Sequence, residues 1–121
     1  MEYGPGSEAG RAEIGSMEGA RCIRLAGECD VYLAPQVSEH LETLLTTGVS
    51  RIIFDLENVT FLDSSILSIF LTARRAAPEG SEVVLLCRAG FVRRLLGLLE
   101  MDRILNVCTP EEWRRQTAAC H

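Results

Sequence analysis

The chain contains no lysine; all twelve of its basic residues are arginine, a bias from which no mechanism follows. Acidic residues outnumber them 17 to 12, for a net charge of −5. The basic patch that a nucleic-acid-binding domain needs is therefore missing, and any effect on transcription would have to pass through another protein. No apolar run approaches the roughly 18 residues that span a bilayer. The opening residues are acidic and glycine-rich, unlike a secretory or transit signal. The cytoplasm is the expected location, with no membrane insertion and no nucleic-acid partner.

Catalytic and metal chemistry are also short of parts. The five cysteines (Cys22, Cys29, Cys87, Cys108, Cys120) include no C-x-x-C pair, and only His40 and His121 could assist them. A structural zinc site wants closely spaced ligand pairs. Cys22, Cys87 and Cys108 fall in strand-like runs, where the thiol packs as a small hydrophobe. Cys29 lies in a turn and is the one expected to be exposed. There is no G-x-x-x-x-G-K-[ST] phosphate loop, and neither histidine stands in a nucleophile–base motif. No catalytic residue, metal or cofactor is expected.

What the chain does have is enough apolar content, 47% of 121 residues, for one domain with a single core. Residues 1–12 are rich in glycine with little to bury and read as a disordered lead-in, which leaves 13–119 as the folded domain. Ala12–Met17 reads as a weak edge strand, and Arg21–Leu25 as a half-exposed strand ended by Gly27. A turn carrying Glu28 and Asp30 follows. Pro35 opens a helix that buries Val37, Leu41, Leu44 and Leu45 at helical spacing, with His40 on its surface and Gly48 as its stop.

The informative stretch comes next. Ile52, Ile53, Phe54 and Leu56 suit a strand covered on both faces, which runs into a short loop and then a helix starting near Asp63 or Ser64, either of which can cap it. At about 100° per residue, Ser64, Ser65, Ser68, Thr72 and Arg75 share one arc, while Ile66, Leu67, Ile69, Phe70, Leu71 and Ala73 fill the rest, apart from Arg74. Asp-Ser-Ser alone is an ordinary helix cap. A stripe of small hydroxyls running on to Thr72 is more than a cap needs, and small side chains let a partner approach closely.

Downstream, Val83–Cys87 reads as a buried strand and Phe91–Leu99 as an amphipathic helix with Arg93 and Arg94 on a solvated face. Ile104, Leu105 and Val107 read as a last strand. Thr109-Pro110-Glu111-Glu112 is a helix start, and Trp113 is placed to pack that helix onto the sheet. Strands alternating with helices imply an α/β sheet layered by helices.

Three stretches, in order, resemble one family. Val59-Thr60-Phe61-Leu62-Asp63-Ser64-Ser65 is similar to the signature of STAS domains of the anti-sigma factor antagonist type. Gly27-Glu28-Cys29-Asp30 followed by Ala34-Pro35 resembles the family's Gly-Glu-x-Asp and Ala-Pro, and the stretch from Phe91 to Leu105 continues the likeness. The resemblance covers the chain from about Ile14 to about Thr117. It implies a STAS-like single domain with a small mixed, mostly parallel β-sheet and helices mainly on one face. It also implies an antagonist that binds an anti-sigma factor with serine kinase activity and so frees a sigma factor. Phosphorylation at Ser64 would end that interaction, and a serine phosphatase is a further partner it allows. ATP belongs to the kinase. Glu28, Asp30, Asp63, Ser64, Ser65, Ser68 and Thr72 are the expected partner-binding residues. Where the family usually has Asp-Ser-Ser-Gly-Leu-Gly, this chain has Ile66 and Ser68 in place of the two glycines. Ile66 could add packing or narrow the space beside Ser64. A non-switching STAS scaffold subunit, of a stress-signalling or lipid-transport complex, is the alternative function.

Overall fold

Five strands pair side by side in the order in which the chain lays them down. The computed structural model describes residues 9–119. Strands β1 (Arg11–Met17) and β2 (Ala20–Cys29) form an antiparallel hairpin. Glu18 and Gly19 turn it, both at positive φ (49° and 82°), the backbone that matches the twist of a two-residue hairpin. From there each new strand is parallel to the last: β3 (Arg51–Leu62) joins β2, β4 (Glu82–Leu86) joins β3, and β5 (Asn106–Cys108) joins β4. Helices α1 (Ala34–Thr46), α2 (Ser64–Ala76) and α3 (Phe91–Leu98) make the crossovers, and α4 (Pro110–Ala119) follows β5. The mixed, mostly parallel sheet expected from the sequence is the one observed.

The two faces of the sheet bury different sets. Ile23, Leu25, Ile52, Phe54, Val83 and Leu85 pack under the apolar stripes of α1, α2 and α3. Cys22, Ile53, Val84, Leu86 and Cys108 pack under Trp113 of α4, which is 1% exposed. Alternate residues of one strand thus serve opposite cores. Three helices cover one face and one covers part of the other.

The largest departure from the sequence reading is β3, which is twelve residues long and reaches Leu62, leaving no loop before α2. Its residues in the three-helix core are Ile52, Phe54, Leu56, Val59 and Leu62. The spacing runs two, two, three, three. Each step of three coincides with a register shift against β2, between Arg24 and Ala26 and again between Gly27 and Glu28. A bulge inserts one unpaired residue and returns the next apolar side chain to the same face. The broken alternation that looked like a loop is a twice-bulged strand.

Other boundaries move for similar reasons. Gly27 does not end β2: it sits within the strand at φ 76°, at the second bulge, and the strand runs on to Cys29. Cys29 is accordingly buried at 0% exposure, not exposed. Ile104 and Leu105 precede β5, because a 3-10 turn at Met101–Arg103 holds them, their amides donating hydrogen bonds to the Met101 carbonyl. Residues 1–8 of the expected lead-in, with Cys120 and His121, lie outside the described residues. Ala9 bridges Glu28, and Arg11 and Ala12 already belong to β1.

Strand β1 forms one edge of the sheet, and side chains close part of that edge. The Ala12 carbonyl lies 3.5 Å from Gln36 Nε2 and 3.3 Å from His40 Nε2, both on α1. The Ser16 carbonyl accepts from Arg24 Nη2 at 2.9 Å. Carbonyls an even number of residues apart on a strand point the same way, so these side chains occupy one edge at both ends. Arg24 crosses β1 over Gly15, where a Cβ would collide with its Nη1.

Candidate functional site

The candidate site is built where β2 and β3 end together. Cys29 and Leu62 are register partners, and the Asp63 amide donates to the Cys29 carbonyl at 3.2 Å. The next residue of each strand is an aspartate, so Asp30 and Asp63 leave the sheet side by side. Each organises the chain that follows it. Asp30 accepts from the Tyr32 amide at 3.0 Å through Oδ1 and from the Leu33 amide at 3.0 Å through its carbonyl, which turns the chain into α1. Asp63 caps α2: its Oδ1 accepts from Ser65 N at 2.9 Å and from Ile66 N at 3.3 Å. The capping role left open between Asp63 and Ser64 therefore falls to Asp63.

That assignment leaves Ser64 exposed at the first position of α2, with its hydroxyl making no hydrogen bond among the described residues. The stripe beyond it is present and more ordered than a row of loose hydroxyls. Ser68 Oγ donates to the Ser64 carbonyl at 2.8 Å, and Thr72 Oγ1 donates to the Ser68 carbonyl at 3.0 Å. Their donor protons are used inside the helix, so these groups offer an approaching molecule acceptor oxygens. Ser64, Ser68 and Thr72 are exposed; Ser65, Glu28, Asp30 and Asp63 are half-buried. Ile66 is fully buried in the core and leaves the Ser64 side of the helix open.

Beneath the two aspartates lies the Cys29 thiol, 3.6 Å from the Ala26 carbonyl. Burial first, then the Asp30 and Asp63 carboxylates, push its pKa up to about 11. The thiol stays protonated and fills the floor of the site as an apolar group.

Around this centre stand apolar side chains that the sequence reading did not single out. Val31 is 56% exposed, Tyr32 89% and Phe61 42%. Phe61 is the register partner of Glu28, and Val31 and Tyr32 follow Asp30 directly. Exposed aromatics beside polar turns mark surfaces that bind other proteins. A signal for them was available: Tyr32 lies in a turn with no helical or strand period to bury it.

Two cationic and imidazole assignments are more specific than the sequence suggested. Arg93 is half-buried and donates to the Cys87 carbonyl at 2.8 Å, tying α3 to the end of β4, while Arg94 is exposed. His40 faces the Ala12 carbonyl. Among the described residues, no three His, Cys, Asp or Glu side chains are grouped to hold a metal ion, and no helix is long and apolar enough to cross a membrane.

The STAS domain family model matches residues 12–112. An anti-sigma-B factor antagonist of Listeria monocytogenes is 34% identical over 86 residues, covering 70% of this chain and 73% of that protein. An anti-sigma-B factor antagonist of Staphylococcus aureus is 28% identical over 86 residues, covering 70% and 80%. The structure of the Bacillus cell fate determinant SpoIIAA in its phosphorylated form superposes with a TM-score of 0.64 at 25% identity, covering 90% of this chain and 99% of that one. The chain belongs to the STAS domain family, in its anti-sigma factor antagonist branch.

Proposed function

We propose that this protein binds an anti-sigma factor that is also a serine kinase, that binding frees a sigma factor, and that phosphorylation of Ser64 ends the complex. The observation that carries the proposal is the division of labour at the start of α2. Asp63 takes the capping amides, so Ser64 is free to be presented to a kinase. The names of the Listeria and Staphylococcus relatives support the antagonist reading, and the phosphorylated SpoIIAA structure supports the modification.

The chemistry of the switch is electrostatic. A phosphoserine carries about −1.5 to −2 charges. Here it would stand beside Asp63, with Asp30 at the neighbouring strand end. The positive end of the α2 dipole favours an anion at that position, although Asp63 already occupies two of the first-turn amides. The domain should therefore tolerate the phosphate. An interface that packs Tyr32, Phe61 and the hydroxyl stripe against a partner should not, because a hydrated dianion cannot be buried without a cation to match it.

Affinity capture from native cells, with mass spectrometry of partners and phosphosites, tests the proposal. It expects a serine-kinase anti-sigma factor bound to the unmodified protein, with phosphate on Ser64 in the unbound fraction. A stable complex with a transporter ATPase, and Ser64 never modified, would replace the switch with a scaffold role.

A further inference from the structure

Strand β3 outruns its neighbour. It is twelve residues long and β4 only five, so the five residues Arg51–Asp55 pair with Glu82–Leu86 and the seven from Leu56 to Leu62 do not. Those seven keep β2 on one side and have no strand on the other among the described residues. Backbone groups of alternate residues point to alternate sides of a strand. About half of the amides and carbonyls of this stretch therefore face outward, with no strand to receive them.

The open edge is one wall of a cleft of about 280 Å³. Val59 and Thr60 line it from β3, and Arg88, Ala89, Gly90 and Phe91 line it from the connection between β4 and α3. Arg88 closes the lower end, donating to Glu57 at 2.6 Å and to Glu111 at 2.8 Å. There the Glu57 amide is also taken, by Asp55 Oδ1 at 3.1 Å. The upper end is open and leads through Phe61, 42% exposed, to Asp63 and Ser64; Phe91, 53% exposed, stands across the cleft.

The outer edges of the sheet are protected in ways that this one is not. Side chains of Gln36, His40 and Arg24 occupy carbonyls of β1, and β5 is only three residues long, too short to recruit a strand. From Asn58 to Phe61 no side chain among the described residues hydrogen-bonds to the backbone.

We propose that the anti-sigma factor of the function proposed above lays an extended segment along the open edge of β3 as an added strand, with an apolar side chain in the cleft beside Phe91. The inference rests on that reading of the protein. A row of outward amides and carbonyls is answered by an extended backbone, since a helix has already spent its own on internal bonds. The edge runs directly into Asp63 and Ser64, so a segment paired with Asn58 to Phe61 ends at the phosphorylation site. It joins Phe61, Phe91 and the hydroxyl stripe of α2 into one continuous interface.

The test compares amide hydrogen exchange in the full chain alone and in complex with the serine-kinase anti-sigma factor captured from native cells. Alternate amides from Asn58 to Phe61 should exchange at least tenfold more slowly in the complex. Ala89→Trp, which fills the cleft from an exposed loop position, should weaken the complex tenfold or more with circular dichroism unchanged. A complex that slows exchange around Ser64 but not from Asn58 to Phe61 overturns the added strand and leaves the antagonist reading standing, as does an Ala89→Trp variant that binds like wild type. Capture of no such kinase overturns both. Protection already present in the free chain and lost on deleting residues 1–8, or a dimer in sedimentation that Ala89→Trp dissolves, would give the edge to this chain itself and overturn the proposal.

Discussion

The Asp63 amide donates to the Cys29 carbonyl at 3.2 Å, and this one bond ties the start of α2 to the end of β2. It sets Asp30 and Asp63 beside each other and leaves Ser64 as the next residue outward. The site is therefore part of the end of the sheet, where β2 and β3 finish together, rather than a loop resting on it.

Asp63 should matter to stability independently of binding. Asp63→Ala removes the acceptor for Ser65 N and Ile66 N and should cost about 1 kcal/mol in urea unfolding. Asp63→Asn keeps an acceptor oxygen there and should recover most of it. Trp113, the only tryptophan and 1% exposed, supplies the fluorescence signal.

Gly97→Ala should work in the opposite direction. The position is helical and open, so the substitution should stabilise the domain by about 0.5–1 kcal/mol. A destabilised variant would mean that the glycine serves packing inside the fold.

Asp55 gives a pH-dependent prediction. Its side chain is 12% exposed and Arg24 Nε is 3.9 Å away, too far for a hydrogen bond. Burial is the largest influence and raises its pKa; the Glu57 amide lowers it, the Glu57 charge raises it, and Arg24 lowers it. The folded state thus holds the Asp55 proton to higher pH than the unfolded chain does. Its contribution is complete below the ordinary carboxylate value and is lost as pH rises through the folded value. Asp55→Asn should therefore be at least as stable as wild type at neutral pH. That advantage should shrink as pH falls through the carboxylate range in chemical-denaturation curves. An Asn variant clearly less stable at pH 7 would show that Arg24 outweighs desolvation.

The guarded edge of β1 predicts an association phenotype. Gly15→Ala forces the flexible end of Arg24 off the Ser16 carbonyl without removing its charge. With Gln36→Ala and His40→Ala added, the edge should accept a second β1 strand. Sedimentation velocity should show a concentration-dependent dimer. A strictly monomeric triple variant would mean that these side chains do not guard the edge.

The sequence made most of this fold legible because α1, α2 and α4 carry start signals and α1, α2 and α3 carry apolar stripes. Thr109 shows this well: it caps α4 as read from the sequence, accepting from Glu112 N at 3.1 Å, and Glu112 in turn accepts from Thr109 N at 2.7 Å, which completes a reciprocal cap. Beyond Leu56 the reading failed, because bulges change the side-chain period from two to three and imitate a loop. Cys29 was misplaced for the same cause, since Gly27 bends β2 without ending it. At the site, Ser64 and Asp63 were legible as residues but not in their division of roles. Helical spacing alone cannot say which of two neighbouring cap formers will take the amides. Phe61 was hidden because its exposure depends on the second bulge, a relationship between two strands and not a property of either.

The most direct test of the central claim is calorimetric titration of the serine-kinase anti-sigma factor that the proposal requires with unmodified protein, Ser64-phosphorylated protein and Ser64→Ala. The account predicts tight binding for the unmodified protein and for Ser64→Ala. The phosphorylated protein should bind at least a hundredfold more weakly, with an unchanged circular dichroism spectrum. Equal affinity for the phosphorylated and unmodified forms would contradict it, and so would a phosphorylated form that no longer folds.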